Sequence, residues 1–574
     1  MSVKRPVLAA ALAASLAAGS LATIGCGSGS TGTSIDPARA VPASAPLYAG
    51  AFVRPTGSLQ SSARASAQAL THQADPYLRL LAALQTPGSS APDYARDVAP
   101  WLGARAGVFL TATGGSEEAA LGRLVTLVEQ GVLGGSAAGG AFPFAAHSVE
   151  GAIVLDTRDT AKARSFLQRL AARAGAHAAS YRGVSYEATA SGIAFGVVSR
   201  LAVIGTETGV RAVIDTTAGG PSLAAASAYA KLAAAAPSGA LANVYANAGA
   251  FGRGANASTS SFSLLAGGGY VDVSLVPAAA SVTLDADALA SQSGAGPTGL
   301  FASSAAAASA LGELPGESWL AIGLGEVGST LGADVGALEA LTSLSGTPSG
   351  TGAEASSSGI SVKGLLAGIL APLRALGAET PTARREFSSW MGSAGLFASG
   401  TGLLELKGGV AIGSKDAARS RAAVGELAAI LQRDGASVER AKVPGAETAV
   451  GVRLSGLPVV LDIVAGTDAG GHPKFVIGLG EQSVEAALHP SSTISGAASY
   501  GTASAALGQG FRPSAIVDFP TLLGLLEGVG LSEDPSVAPF VPYLRSLTTL
   551  SAGGQHLGSG IERLRVVFGL QGAG

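Results

Sequence analysis

Apolar residues fall at helical spacing in two places along the chain. Ala163, Phe166, Leu167, Leu170, Ala171 and Ala174 stand at i, i+3, i+4, i+7, i+8 and i+11, while Lys162, Arg164, Arg169 and Arg173 occupy the other face. A second helix repeats the scheme, with Val424, Leu427, Ala428 and Leu431 inside and Glu426, Arg433 and Asp434 outside. Asp159-Thr160 and Ser414 to Asp416 supply the start signals, since a short side-chain oxygen there accepts from the free N–H groups of the first turn. Strand-like runs flank each helix: Gly151 to Leu155, then Ile193 to Val198 turning at Ser199-Arg200 into Leu201 to Gly205. In the second half Gly409 to Ile412 precedes the helix, and Val459 to Val464 and Phe475 to Leu479 enclose the turn-rich stretch Thr467 to Pro473. The runs Tyr270 to Leu284 and Ile561 to Leu570 close the two halves. This pattern predicts an α+β fold, with a mainly antiparallel sheet in each half and helices on one face.

Segments of the first half recur in order in the second. Leu47-Tyr48-Ala49-Gly50 is answered by Trp319-Leu320-Ala321-Ile322-Gly323, and Trp101-Leu102-Gly103 by Trp390-Met391-Gly392. Val203-Ile204-Gly205 matches Val476-Ile477-Gly478, and Tyr229 with the run to Tyr245 matches Tyr500 with the run to Phe519. A domain-sized repeat of this kind predicts two tandem homologous modules. Low-complexity tracts separate the parts: Gly27 to Ser34, Gly131 to Ala146, Ala286 to Leu311 and Ser345 to Ser361. The expected division is a signal peptide over 1–25, a lipidated cysteine and tether over 26–40, a first module over 41–290, a linker over 291–312 and a second module over 313–574.

The only cysteine, Cys26, ends the apolar N-terminal stretch. Lys4 and Arg5 precede the small-residue apolar run Val7 to Ile24, which is the layout of a secretory signal. Gly25-Cys26 reads as a lipobox, although Thr23 stands where leucine is usual. A cysteine so placed carries acyl chains that anchor the protein stably at roughly 0.8 kcal/mol per buried CH₂. The alternatives are a buried free thiol, an unmodified cysteine after cleavage, or a membrane-spanning anchor, against which the short, small-residue-rich apolar run argues. With one cysteine the chain forms no internal disulfide and depends on its core.

Of 574 residues only 13% are charged, the net charge is −3 and no basic run occurs, which excludes a nucleic-acid footprint. Six histidines, His72, His147, His177, His472, His489 and His556, are scattered without metal-ligand spacing, so neither a metal nor a cofactor is expected. Gly323-Leu324-Gly325-Glu326-Val327-Gly328 has the form of a dinucleotide loop, but the equivalent place in the first half lacks it, and it is read as a strand-to-helix turn. The close carboxylates Glu117-Glu118, Asp156 with Asp159, and Glu533-Asp534 are read as solvated or as helix-start charges. Trp101 and Trp390, at equivalent places, are read as core. No catalytic residue emerges, and a non-enzymatic role is expected.

The chain resembles the uncharacterised exported proteins of actinobacteria that carry domain of unknown function 3352. The resemblance rests on Val41-Pro42-Ala43-Ser44-Ala45-Pro46-Leu47-Tyr48 with Val53-Arg54-Pro55, on Asp93-Tyr94 to Trp101-Leu102-Gly103, on Ala106-Gly107-Val108-Phe109, on Tyr181-Arg182-Gly183-Val184-Ser185-Tyr186 and on Val203-Ile204-Gly205-Thr206-Glu207. It implies an envelope lipoprotein with no assigned activity. The expected role is therefore a lipoprotein on the extracytoplasmic face of the cell membrane that binds or scaffolds an envelope protein partner. The alternative is a carrier of a lipid or other apolar ligand in a cleft between the modules.

Overall fold

Consecutive residues of the strand-like runs, rather than alternate ones, are apolar, and a strand of that kind needs cover on both of its faces. The computed structural model describes residues 34–71, 94–111, 150–251, 269–289, 305–328, 387–402, 405–453, 459–528, 530, 532, 537–538, 540–558 and 560–572. The first half contributes β1 (Leu47–Phe52), β2 (Leu102–Leu110), β3 (Gly151–Thr157), β4 (His177–Tyr181), β5 (Val184–Ala188), β6 (Ile193–Val198), β7 (Leu201–Thr206), β8 (Ala242–Asn247), β9 (Tyr270–Ala278) and β10 (Ser281–Leu289). The second contributes β11 (Leu320–Leu324), β12 (Met391–Ser399), β13 (Lys407–Ser414), β14 (Ser437–Arg440), β15 (Ala446–Arg453), β16 (Val460–Thr467), β17 (Pro473–Leu479), β18 (Arg512–Asp518), β19 (Leu547–His556) and β20 (Ile561–Leu570). The helices used below are α1 (Gly57–Thr71), α2 (Thr160–Arg173), α3 (Glu207–Thr217), α4 (Ser227–Ala235), α5 (Ala305–Gly312), α6 (Ala417–Arg433), α7 (Glu481–Leu488), α8 (Ala498–Leu507), α9 (Phe519–Gly528) and α10 (Val541–Arg545).

All described strands join one antiparallel sheet. In the first half the pairing runs β4-β5-β6-β7-β3-β2-β1-β8-β9-β10. In the second it runs β14-β15-β16-β17-β13-β12-β11-β18-β19-β20, strand for strand the same order. β10 pairs with β20 and makes the two runs continuous. Irregularities fall at matching places, between Leu102 and Ala106 and between Met391 and Ala394. The isolated bridges Pro42 to Ser222 and Pro315 to Thr493 also match.

Helices cover both faces, which corrects the expectation of a single covered face. On one face α6 sets Val424, Leu427 and Leu431 against Val410, Ile412, Ile463, Phe475 and Ile477. On the opposite face Val484, Ala487 and Leu488 of α7 and Leu311 of α5 meet the intervening residues Ala411, Val464 and Val476. The first half is built likewise, α2 lying on Phe195 and Ile204 and α3 on Ala194 and Val203. Trp101 and Trp390 are buried, with ring centroids 5.4 Å from Phe166 and 5.1 Å from Phe475, so both indoles lock a helix or a neighbouring strand to the sheet.

Four further expectations change. Residues 305–312, read as linker, are α5, whose Ala307, Ala308, Ala310 and Leu311 are buried. Small side chains permit this, because at Gly323 a Cβ would lie 1.9 Å from the Ala307 carbonyl oxygen, so helix and strand backbones touch. The end of the segment read as tether is ordered: Asp36 caps a short 3₁₀ turn, Pro37–Arg39, and Ala38 and Ala40 are buried. Tyr270 to Leu284 is two strands joined by a tight turn at Ala279-Ala280. Ala174 lies past the last turn of α2 and is exposed.

The two helix starts match the reading. Asp159 accepts from the Lys162 N–H, and Asp416 accepts from the N–H groups of Ala418 and Arg419. Asp416→Ala is expected to lower stability by about 1 kcal/mol and Asp416→Asn by less, since asparagine also caps. A urea titration in which the midpoint falls for alanine with unchanged slope checks this.

Candidate functional site: a buried ionic seam between the halves

Three short segments alternate polar or charged residues with apolar ones: Asp272-Val273-Ser274 in β9, Asp285-Ala286-Asp287 in β10 and Arg563-Leu564-Arg565 in β20. Strand period places the polar members of each on one face. Register aligns them across the sheet, with Asp272 opposite Asp287, Ser274 opposite Asp285, Asp287 opposite Arg563 and Asp285 opposite Arg565. These positions are covered: Asp285 and Asp287 have 0% exposure and Asp272 has 2%.

Burial on this scale requires complete pairing. Arg563 grips Asp287 with two bonds, Nε to Oδ1 and Nη2 to Oδ2, both at 2.6 Å. Arg565 grips Asp285 in the same forked manner at 2.7 Å. Arg563 Nη1 also lies 3.5 Å from Asp285 Oδ2. The remaining donors serve helix ends, where unpaired carbonyls carry partial negative charge. Arg563 Nη2 donates to Ala235 O at the last residue of α4, and Arg565 Nη1 donates to Leu507 O at the last residue of α8. The Arg565 guanidinium also rests 4.3 Å from the Phe511 ring centroid. One arginine pair thus ties both halves' helix layers to the central strands.

Among the described residues Asp272 has no arginine within hydrogen-bonding reach. Asn243 Nδ2 donates to Oδ1 at 2.7 Å and Ser274 Oγ donates to Oδ2 at 3.2 Å. Burial raises its carboxyl to about 6, the neighbouring Asp287 adds to the rise, and the bonds from Asn243 and Ser274 and the field of Arg563 oppose it. Burial also raises Asp287, against the pull of Arg563. For Arg563 burial works against the charge, but the bonds and fields of Asp287 and Asp285 outweigh it and raise its pKa. Next to Asn243 lies a buried tyrosine cluster: Tyr48 and Tyr229 meet edge to face at 5.9 Å, Tyr229 and Tyr245 at 5.3 Å. Burial holds all three phenols above their ordinary range, so they stay protonated.

On the other face the seam is apolar. Ala63, Ala69 and Leu70 of α1 pack with Leu275, Val282, Leu284, Phe519, Leu547, Phe568 and Leu570, a cluster drawn from both halves. The two halves therefore meet through nine consecutive residue pairs and this shared core.

The residues singled out in the sequence lie elsewhere. Cys26, His72, His147, Glu117-Glu118 and Glu533-Asp534 fall outside the described residues. His177 is on the edge strand β4, His472 is beside Asp468, and His556 bonds Glu562 at 2.6 Å on the surface. Among the described residues no three His, Cys, Asp or Glu side chains come together as metal ligands. Asp156 corrects the reading of a solvated or helix-start charge: it is buried, and its Oδ2 accepts from Ala104 N at 3.1 Å in the irregular part of β2. Among the described residues no helix is long and apolar enough to cross a membrane. The seam itself was missed, although acidic and basic residues at period two in otherwise apolar strands were a signal for it.

A search of curated proteins finds no match. A solved structure described as crystal form I of TP0453 is similar at 11% identity, covering 44% of this chain and 79% of that one, with a TM-score of 0.23. The model of the family described as protein of unknown function, DUF3352, matches residues 7–450, which include all of the first half and the second half as far as β15. With well over half its length matched, the chain belongs to the DUF3352 family.

Proposed function

We propose that this protein is a lipoprotein held on the extracytoplasmic face of the cell membrane through Cys26, and that its body is a non-enzymatic scaffold for an envelope protein partner. The observation that carries the reading is the early docking of the chain. Asp36 caps a turn whose Ala38 and Ala40 are buried, and the Arg105 guanidinium holds the Asp36 carboxylate at 3.2 Å. Asp36 stands ten positions after Cys26, a span of at most about 35 Å when extended. An acylated Cys26 would therefore hold the rigid sheet close to the bilayer, with little freedom to diffuse away.

The interior supports a scaffold. Its most concentrated charges are spent on joining strands and helix ends, each arginine fork being filled by a carboxylate of the same chain. The matching strand order, bulges and helix caps further support descent of the halves, 41–290 and 313–574, from one duplicated module.

Cys26→Ala, expressed in the native host, is expected to lose incorporation of labelled fatty acid and to appear in the soluble or secreted fraction. Unchanged membrane retention with no acyl group on the wild-type chain would overturn the anchor. For the scaffold, cross-linking in cells followed by mass spectrometry is expected to capture a recurrent envelope protein. A lipid-sized adduct on the detergent-free body in native mass spectrometry would replace the scaffold reading with that of a carrier.

A further inference from the structure

We propose that β10 and β20 form a charge-coded interface by which the two halves select one another, so that the covalent connection through 290–304 is dispensable once the chain has folded. The halves carry their own cores. The clusters under α6 and under α5 and α7 consist wholly of residues from α5 onward, and the cluster under α2 wholly of first-half residues. They meet along β10 and β20, in the apolar cluster around α1 and α9, and through Ile561 and Leu557 packed on the first half.

The code lies in the register. Asp285 opposite Arg565 is the fifth of the nine pairs from Ser281–Gly569 to Leu289–Ile561, so the centre of the ladder is an opposite-charge pair. Pairing β10 with the β10 of a second copy about the same centre would set Asp285 against Asp285 and place Asp287 opposite Thr283. Pairing β20 with β20 would set Arg565 against Arg565 and Arg563 opposite Val567. Either arrangement buries like charges without partners, which desolvation makes strongly unfavourable. It also removes Arg563 from the Ala235 carbonyl, which lies on the first half. Only the mixed pairing fills both forks and caps both helices, so an edge that would otherwise invite self-association accepts one partner.

The test uses the full chain with a protease site inserted within 290–304 and cut after folding. The nicked wild type is expected to run as one body and to show a single 1:1 complex of the two fragments in native mass spectrometry. The complex is expected to survive roughly 1 M salt, because buried pairs are poorly screened. Separation of the wild-type fragments on cutting would overturn the proposal. With Arg563→Asp and Arg565→Asp the nicked chain is expected to come apart, and adding Asp285→Arg and Asp287→Arg is expected to restore association at least tenfold. Fragments of the one-sided variant that stay as firmly together as wild type would also overturn it. Should the one-sided variant fail to fold, a neutral seam with threonine at all four positions decides: it is expected to yield first-half and second-half homodimers after nicking, where wild type yields none. Equal scrambling in wild type and neutral variant would overturn the proposal.

Discussion

Replacing Arg563 by methionine is expected to lower the unfolding free energy by about 3–5 kcal/mol, the range for a buried ion pair that loses one partner. Methionine fills much of the volume but donates nothing. Asp287 then loses both short bonds, Asp285 loses its second cationic neighbour, and the last carbonyl of α4 loses its donor. The loss depends on pH in a defined direction. Burial already raises Asp287, and without the guanidinium it rises further, so the abandoned carboxyl takes up a proton as pH falls. The destabilisation is therefore larger at pH 8 than at pH 5. Adding Asp287→Leu removes the orphaned charge and is expected to recover most of the loss, because an apolar pair of similar volume is commonly as stable as a buried ion pair. Chemical denaturation of the wild type, the two single variants and the double variant closes this cycle. A double variant no more stable than Arg563→Met would mean that the ladder, not the charge, was damaged.

How much of this fold was legible depended on which signal each segment carried. α2 and α6 were readable because their apolar stripes follow the helical period and each begins at an aspartate that bonds the first turn. β20 was readable end to end. The faces of the sheet were not, because a two-sided strand such as Leu201–Thr206 is apolar throughout and its composition does not say what covers each side. α5 was hidden by its own mechanism: the alanines that let it lie directly on Gly323 are the residues that make a sequence look like linker. The seam was hidden for a different reason. Aspartates and arginines in a strand ordinarily mark the solvent side, and only pairing across 276 to 280 residues of chain turns them into an interior.

That interior is asymmetric in charge, which gives the second large effect. Counting the seam as three aspartates and two arginines leaves one carboxylate in excess, and Asp272, held only by neutral donors, is the one whose carboxyl stands at about 6. The unfolded chain titrates this group near 3.8, so between about pH 4 and 6 the folded protein binds the proton more tightly. Stability contributed by protonated Asp272 is full below the unfolded value and is lost as pH rises through the folded one. The cost amounts to about 3 kcal/mol above pH 6 at 1.36 kcal/mol per unit. Asp272→Asn is expected to remove that cost. Its amide oxygen still accepts from Asn243, and its nitrogen donates to Ser274, whose hydroxyl turns to accept. The variant is therefore expected to match wild type near pH 4 and to exceed it by up to about 3 kcal/mol at pH 7.5. Asp287 faces Asp272 and feels its charge, so the difference between the two pH profiles reports Asp272 together with its coupling to Asp287. A variant less stable than wild type at pH 7.5 would show that the ionised carboxylate draws more from Arg563 than it loses by burial, and that all three aspartates of the seam work as anions.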